Sequence, residues 1–159
     1  MYSYIPNILA HSGNGNPPAD RIAVRNQLRG LGAQYGIPVW MTEVSNGFYG
    51  DDTPSNMESF DALRGRAIHI HDELLYAEAS AFFGMESDWS LRANELHGLG
   101  SAYGSNPDDL VFIDQDQDRT FISGTGRAVG HYARFIGKGA SVLASTTDDA
   151  LVLATAFRD

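Results

Sequence analysis

The chain has 159 residues, 43% of them hydrophobic and 19% charged, which suits a folded domain with a buried core and excludes a disordered segment. Twenty acidic residues (20) against 11 basic ones give a net charge of −9, with no lysine- or arginine-rich block, so nucleic acid is excluded as a partner. No apolar run approaches the roughly 20 residues of a membrane-spanning helix, Met1-Tyr2-Ser3-Tyr4-Ile5-Pro6 lacks the pattern of a signal peptide, and the absence of cysteine excludes disulfides and thiolate metal sites.

Tyr2-Ser3-Tyr4-Ile5 is short and aromatic and predicts a strand, followed by a long loop through His11-Ser12-Gly13-Asn14-Gly15-Asn16-Pro17-Pro18. From Ala19 to Tyr35, Ile22, Val24, Leu28, Leu31 and Tyr35 fall mostly at helical spacing, and Gly36 stops the helix before Pro38. Ile37-Pro38-Val39-Trp40-Met41-Thr42 is a nearly continuous apolar run, the form of a strand buried on both faces in a parallel sheet. The polar, glycine-containing stretch from Glu43 to Asp52 then predicts a loop.

Ser55-Asn56-Met57-Glu58 fits a capping box, so a second helix is expected to start there and run to about Tyr76. Its buried stripe is drawn through Phe60, Arg64, Ala67, His71 and Leu74, widened by Leu63, Ile68 and Leu75. Ala79-Ser80-Ala81-Phe82-Phe83-Gly84-Met85 predicts another buried strand, and the alternation of strands and helices is that of parallel βα units. Leu110 to Ile113 and Thr120 to Ser123 flank the acidic turn Asp114-Gln115-Asp116-Gln117-Asp118 as a hairpin. A helix follows from Thr125 to Ile136, closed by Gly137-Lys138-Gly139, and the tail alternates through Ser141 to Ala144 and Leu151 to Ala154 as strands.

In a parallel α/β barrel the chemistry sits where strands end, which makes Glu43, directly after a buried run, a candidate catalytic carboxylate. The alternative for a glutamate at a strand end is solvation or pairing with an arginine. Trp40 reads as core, and His69 and His71, two apart on an outer helix, read as structural rather than as a metal pair. Phe48 and Tyr49 either line a substrate subsite or pack on the rim, and the same choice, substrate contact or solvated loop, stands for His11. Asp114-x-Asp116-x-Asp118 begins like a calcium loop but lacks the later glycine and bidentate glutamate, so it reads as an acidic turn.

Val39-Trp40-Met41-Thr42-Glu43-Val44-Ser45 resembles the seventh-strand nucleophile motif of glycoside hydrolase family 30. Ala67-Ile68-His69-Ile70-His71-Asp72-Glu73-Leu74 with Ala79-Ser80-Ala81-Phe82-Phe83 is similar to that family's seventh helix and eighth strand. Gly130 to Gly139 resembles its last barrel helix, and Val152 to Arg158 a strand of its side β-domain.

The resemblance implies an α/β fold: the carboxyl-terminal portion of a (β/α)8 TIM barrel, about strands 6–8, in residues 1–138, and the start of a β-sandwich side domain in residues 139–159. It implies a retaining glycosidase of β-linked glycosides or polysaccharides, with Glu43 as nucleophile and neither metal nor organic cofactor. Such enzymes need a second carboxylate about 5–5.5 Å away as acid/base. In the family it comes from the fourth strand, and this chain matches only from the sixth, so a fragment without turnover is expected. Tyr2 and Tyr4 are candidate hydrogen-bond donors to the nucleophile or else core residues, where the family commonly has histidine, serine and tyrosine. Trp89 is a candidate stacking face for a sugar ring, standing after the eighth strand where tryptophan is usual, or else a packing residue. The competing readings are a carbohydrate-binding protein that lost its acid/base and a half-barrel that associates with itself through open strand edges. A secreted or extracytoplasmic location is expected for the full-length parent.

Overall fold

The computed structural model of the chain describes residues 2–4, 18–42, 58–84, 88–91, 109–115, 117–149 and 152–159. The first half follows the predicted βα rhythm: β1 (Tyr2–Tyr4), α1 (Pro18–Tyr35), β2 (Val39–Met41), α2 (Phe60–Leu75) and β3 (Ala81–Phe82). The three strands form one parallel sheet in the order β1-β2-β3, with Tyr2, Ser3 and Tyr4 in register with Val39, Trp40 and Met41. Trp40 and Met41 in turn pair with Ala81 and Phe82. Gly36, at φ 62°, supplies the left-handed turn that ends α1, a conformation only glycine adopts without strain.

Alternation along β2 sorts its side chains: Val39 and Met41 are buried, whereas Trp40 is only half-buried and packs its ring 6.0 Å from that of Phe83. Val39 clusters with Ala77 and Ala79 beneath the end of α2.

α2 departs from expectation twice. It begins at Phe60, capped by Ser59, whose hydroxyl accepts from the Ala62 amide at 3.1 Å; the cap is not Ser55, which lies outside the described residues. Glu58 is engaged elsewhere, with its carboxylate 3.3 Å from Arg119 and 3.8 Å from Arg127. The buried face is also rotated from the predicted stripe: Ala62, Arg66, Ile70, His71, Asp72 and Glu73 are inside, while Phe60 is 72% exposed. Hydrophobic periodicity missed this face because half of it is charged. Arg25 of α1 pairs with its Glu73 and Asp72, and that pairing exists only in the tertiary structure.

The second sheet joins β4 (Asp88–Leu91), β5 (Val111–Asp114) and β6 (Arg119–Ile122). The β5–β6 hairpin is the predicted one, antiparallel, with Phe112 opposite Phe121 and their rings stacked at 5.4 Å. Asp114 is buried at the turn, accepting from the Gln117 amide at 3.1 Å and standing 3.5 Å from the Arg119 guanidinium. Its acid therefore organises the turn. The parallel pairing of β4 with β5 had no signal in the sequence.

α3 (Gly124–Phe135) starts at Ser123, whose hydroxyl accepts from the Gly126 amide at 2.8 Å and donates to the Asp109 carbonyl at 2.5 Å. It packs against α2 so closely that a Cβ on Gly124 would stand 2.6 Å from the Ser59 carbonyl oxygen. The chain then forms β7 (Ser141–Leu143) and β8 (Ala156–Arg158), an antiparallel pair. The second tail strand thus lies beyond the alternation at Leu151 to Ala154 and within the stretch Val152 to Arg158 that the resemblance gave as a strand. Val152 and Ala154 instead give their carbonyls to the Thr147 and Ser145 hydroxyls, at 2.6 and 2.5 Å, within the connection.

Candidate active site

Because β1, β2 and β3 run parallel and in register, Tyr4, Met41 and Phe82 end at one edge of the sheet. The β2–β3 ladder continues one step further, where the Phe83 amide donates to the Met41 carbonyl at 2.9 Å. That bond fixes the end of β2 immediately before Thr42 and, in sequence, Glu43. In parallel α/β folds this carboxyl edge is where loops carry the chemistry.

Glu43 and Tyr49 themselves lie outside the described residues, as do His11 and Phe48. Tyr2 and Tyr4 are placed by their backbone in β1, and Ser3, between them, is the register partner of Trp40. Trp89 is placed by its backbone in β4, paired with Phe112 and so in a different sheet from Met41. Phe83 was not among the sequence candidates. It is 49% exposed at the strand edge and packs on Trp40, and its signal was the doublet Phe82-Phe83, which puts successive rings on opposite faces.

On the helix side of the sheet lies a buried charged cluster. The Arg25 Nε donates to the Glu73 Oε1 at 2.7 Å, and its other nitrogen is 4.0 Å from Asp72. His69 stands 3.6 Å from the same Glu73 oxygen and edge-on to Phe82, and the Arg66 guanidinium lies over the Phe82 ring. Burial pushes His69 below the ordinary histidine range, against the opposing pull of Glu73. The Glu73 carbonyl accepts from the Ala79 amide, two residues before β3 begins, so this cluster ties α1 and α2 to the sheet rather than opening at the strand ends. Among the described residues no three His, Asp or Glu side chains converge as metal ligands, and no helix is long and apolar enough to cross a membrane.

The arrangement has a counterpart among solved structures. The chain is similar in fold to the catalytic domain of GH30 xylanase C from Talaromyces cellulolyticus, with a TM-score of 0.57 and 23% sequence identity. The likeness covers 77% of this chain and 25% of that one, so the chain spans about a quarter of that structure's length. No protein-family model matches the sequence, and neither does any curated protein. The mixed helix-and-sheet architecture is thus shared with part of that domain's fold.

Proposed function

We propose that this chain is a piece of a retaining β-glycoside hydrolase related to family 30, with Glu43 as the nucleophile that forms the covalent glycosyl-enzyme intermediate. The observation that carries the reading is the position of Thr42-Glu43 directly after the central strand of a parallel β1-β2-β3 sheet, in a chain similar in fold to a xylanase catalytic domain. Residues 1–138 would belong to the barrel, strands 6–8 and the last helix, and residues 139–159 to the side β-domain. The Trp40–Phe83 pair offers an apolar face at the strand edge, of the kind on which the carbon face of a sugar ring packs. Tyr2, Tyr4, Tyr49 and Trp89 are the further candidates for substrate contact. Xylan is the first substrate class to test, because the similar structure is a xylanase.

The family's fourth-strand acid/base has no counterpart among the motifs matched in this chain. Without a proton donor the leaving group departs slowly, and general acid–base catalysis typically contributes about 10²–10⁴-fold. The purified 159 residues are therefore expected to bind β-linked oligosaccharides but to hydrolyse them slowly or not at all. A 2-fluoro glycosyl fluoride should glycosylate Glu43 where the site is assembled, the carboxylate displacing fluoride from the anomeric carbon, and peptide mass spectrometry locates the adduct. An adduct on another carboxylate would remove Glu43 from the nucleophile role. Fast hydrolysis abolished by Glu43→Gln would show that this chain supplies its own acid/base.

A further inference from the structure

β3 is only two residues long, so few backbone hydrogen bonds hold it and its place beside β2 depends on its side chains. The Ser80 amide donates to the Val39 carbonyl at one end of the pairing and the Phe83 amide to the Met41 carbonyl at the other, both at 2.9 Å. Phe82 is the register partner of Met41. Successive side chains point to opposite faces, so its ring turns to the helices while that of Phe83 turns to Trp40. Two groups of α2 hold the Phe82 ring from the helix side. The fully buried Arg66 guanidinium stands 5.7 Å from its centroid, over the face, and the His69 ring meets it edge-on at 5.8 Å. His69 is braced in turn by Glu73 at 3.6 Å, which Arg25 of α1 holds at 2.7 Å.

We propose that Arg66 is a positioning residue for the strand that leads to the nucleophile: through the Phe82 ring it fixes the carboxyl end of β3, and the Phe83 amide then fixes the Met41 carbonyl at the end of β2. This role rests on the reading of Glu43 as the nucleophile, since the strand end held in this way is the one that precedes Thr42 and Glu43 in sequence. Attack on an anomeric carbon needs the reacting atoms aligned and about 3–3.5 Å apart, so a strand end that frays slows the chemical step more than it weakens sugar binding. The attraction of a cation to a ring face grows when the cation is out of water, as Arg66 is. Its position on α2, one helical turn from His69, lets both act on the same ring.

Hydrogen exchange of the full chain, resolved amide by amide, compares Phe83 with Ser80 at the two ends of the pairing. Arg66→Met, which keeps an unbranched side chain but removes the cation, should quicken exchange at Phe83 several-fold and change Ser80 little. Arg66→Lys keeps a cation and should restore most of the protection. Phe82→Leu removes the ring instead; it should act like Arg66→Met, and serves alone if the Arg66 variants do not fold. Equal acceleration at both amides, the mark of a merely structural residue, would overturn the proposal, as would unchanged exchange at Phe83. With the 2-fluoro glycosyl fluoride, Arg66→Met or Phe82→Leu should lower the limiting rate of inactivation and leave the half-saturating concentration unchanged. A limiting rate equal to that of the wild-type chain would also overturn it. A wild-type chain that takes no label would overturn the Glu43 reading instead, with exchange at Phe83 still deciding whether Arg66 holds the strand end.

Discussion

Glu73 shows how one side chain can decide a helix's orientation. It is fully buried, and it is held by the Arg25 Nε at 2.7 Å from a helix 48 positions earlier in sequence. Truncating one partner of such a pair strands the other charge without compensation, which costs about 3–5 kcal/mol. Glu73→Ala and Arg25→Ala are each expected to lose that much in urea unfolding, and the double variant much less than the sum, because the stranded charge is gone. A loss below about 1 kcal/mol for Glu73→Ala would place the pair in the class of exposed ion pairs instead. The residues of this cluster were visible in the sequence only as a charged stretch, Arg64 to Glu73. Their burial follows from a partner the linear pattern does not name.

Among the elements, α2 and α3 approach closely at their amino-terminal ends. Both are capped by serine, Ser59 and Ser123, and both hydroxyls accept from the amide three residues on. Gly124 lets the two ends meet. A methyl group there would be 2.6 Å from the Ser59 carbonyl oxygen and 2.8 Å from the Leu63 nitrogen, backbone atoms that cannot swing aside. Gly124→Ala is therefore expected to destabilise the fold by about 1–3 kcal/mol through overpacking, although alanine is the better helix former. Thermal unfolding of the variant checks it; an unchanged or raised Tm would mean that the helices separate freely. The end of α1 was readable from Gly36, because a left-handed turn leaves a glycine in the sequence. The start of α2 was not: Ser55, with Glu58 three residues on, carries the stronger local signal, yet the helix is capped by Ser59 while Glu58 pairs with Arg119 and Arg127, partners distant in the chain.

For the whole molecule, pH is the variable that reports on the interior. His69 and His71 are both held below the ordinary histidine range, chiefly by burial, so each takes a proton less readily in the folded chain than in the unfolded one. A depressed folded value means stability is present above about pH 6.5 and is lost as pH falls through that value. Lower pH also reduces the repulsion implied by a net charge of −9, an effect of opposite sign. That repulsion acts between exposed charges and is screened over about 8 Å at physiological salt, so the buried imidazoles should prevail. The urea midpoint is expected to be higher at about pH 7.5 than at about pH 5.5, and His69→Gln with His71→Gln to flatten the difference. A midpoint that rises on acidification would show that repulsion wins.

The sequence by itself determined the strand–helix rhythm of the first half, the β5–β6 hairpin, the approximate extents of α1 and α3, and the place of Glu43 after a buried run. These are local properties: periodicity, a glycine stop and a change from apolar to polar act within a few residues of one another. Only the tertiary structure decided which face of α2 is inside, that β4 pairs with β5, that the last strand pairs with β7 through Ala156–Arg158, and that Phe83 shares the strand edge with Trp40. Each of those depends on a partner distant in the chain, and a charge, an edge strand or a ring has no preferred side until that partner is in place.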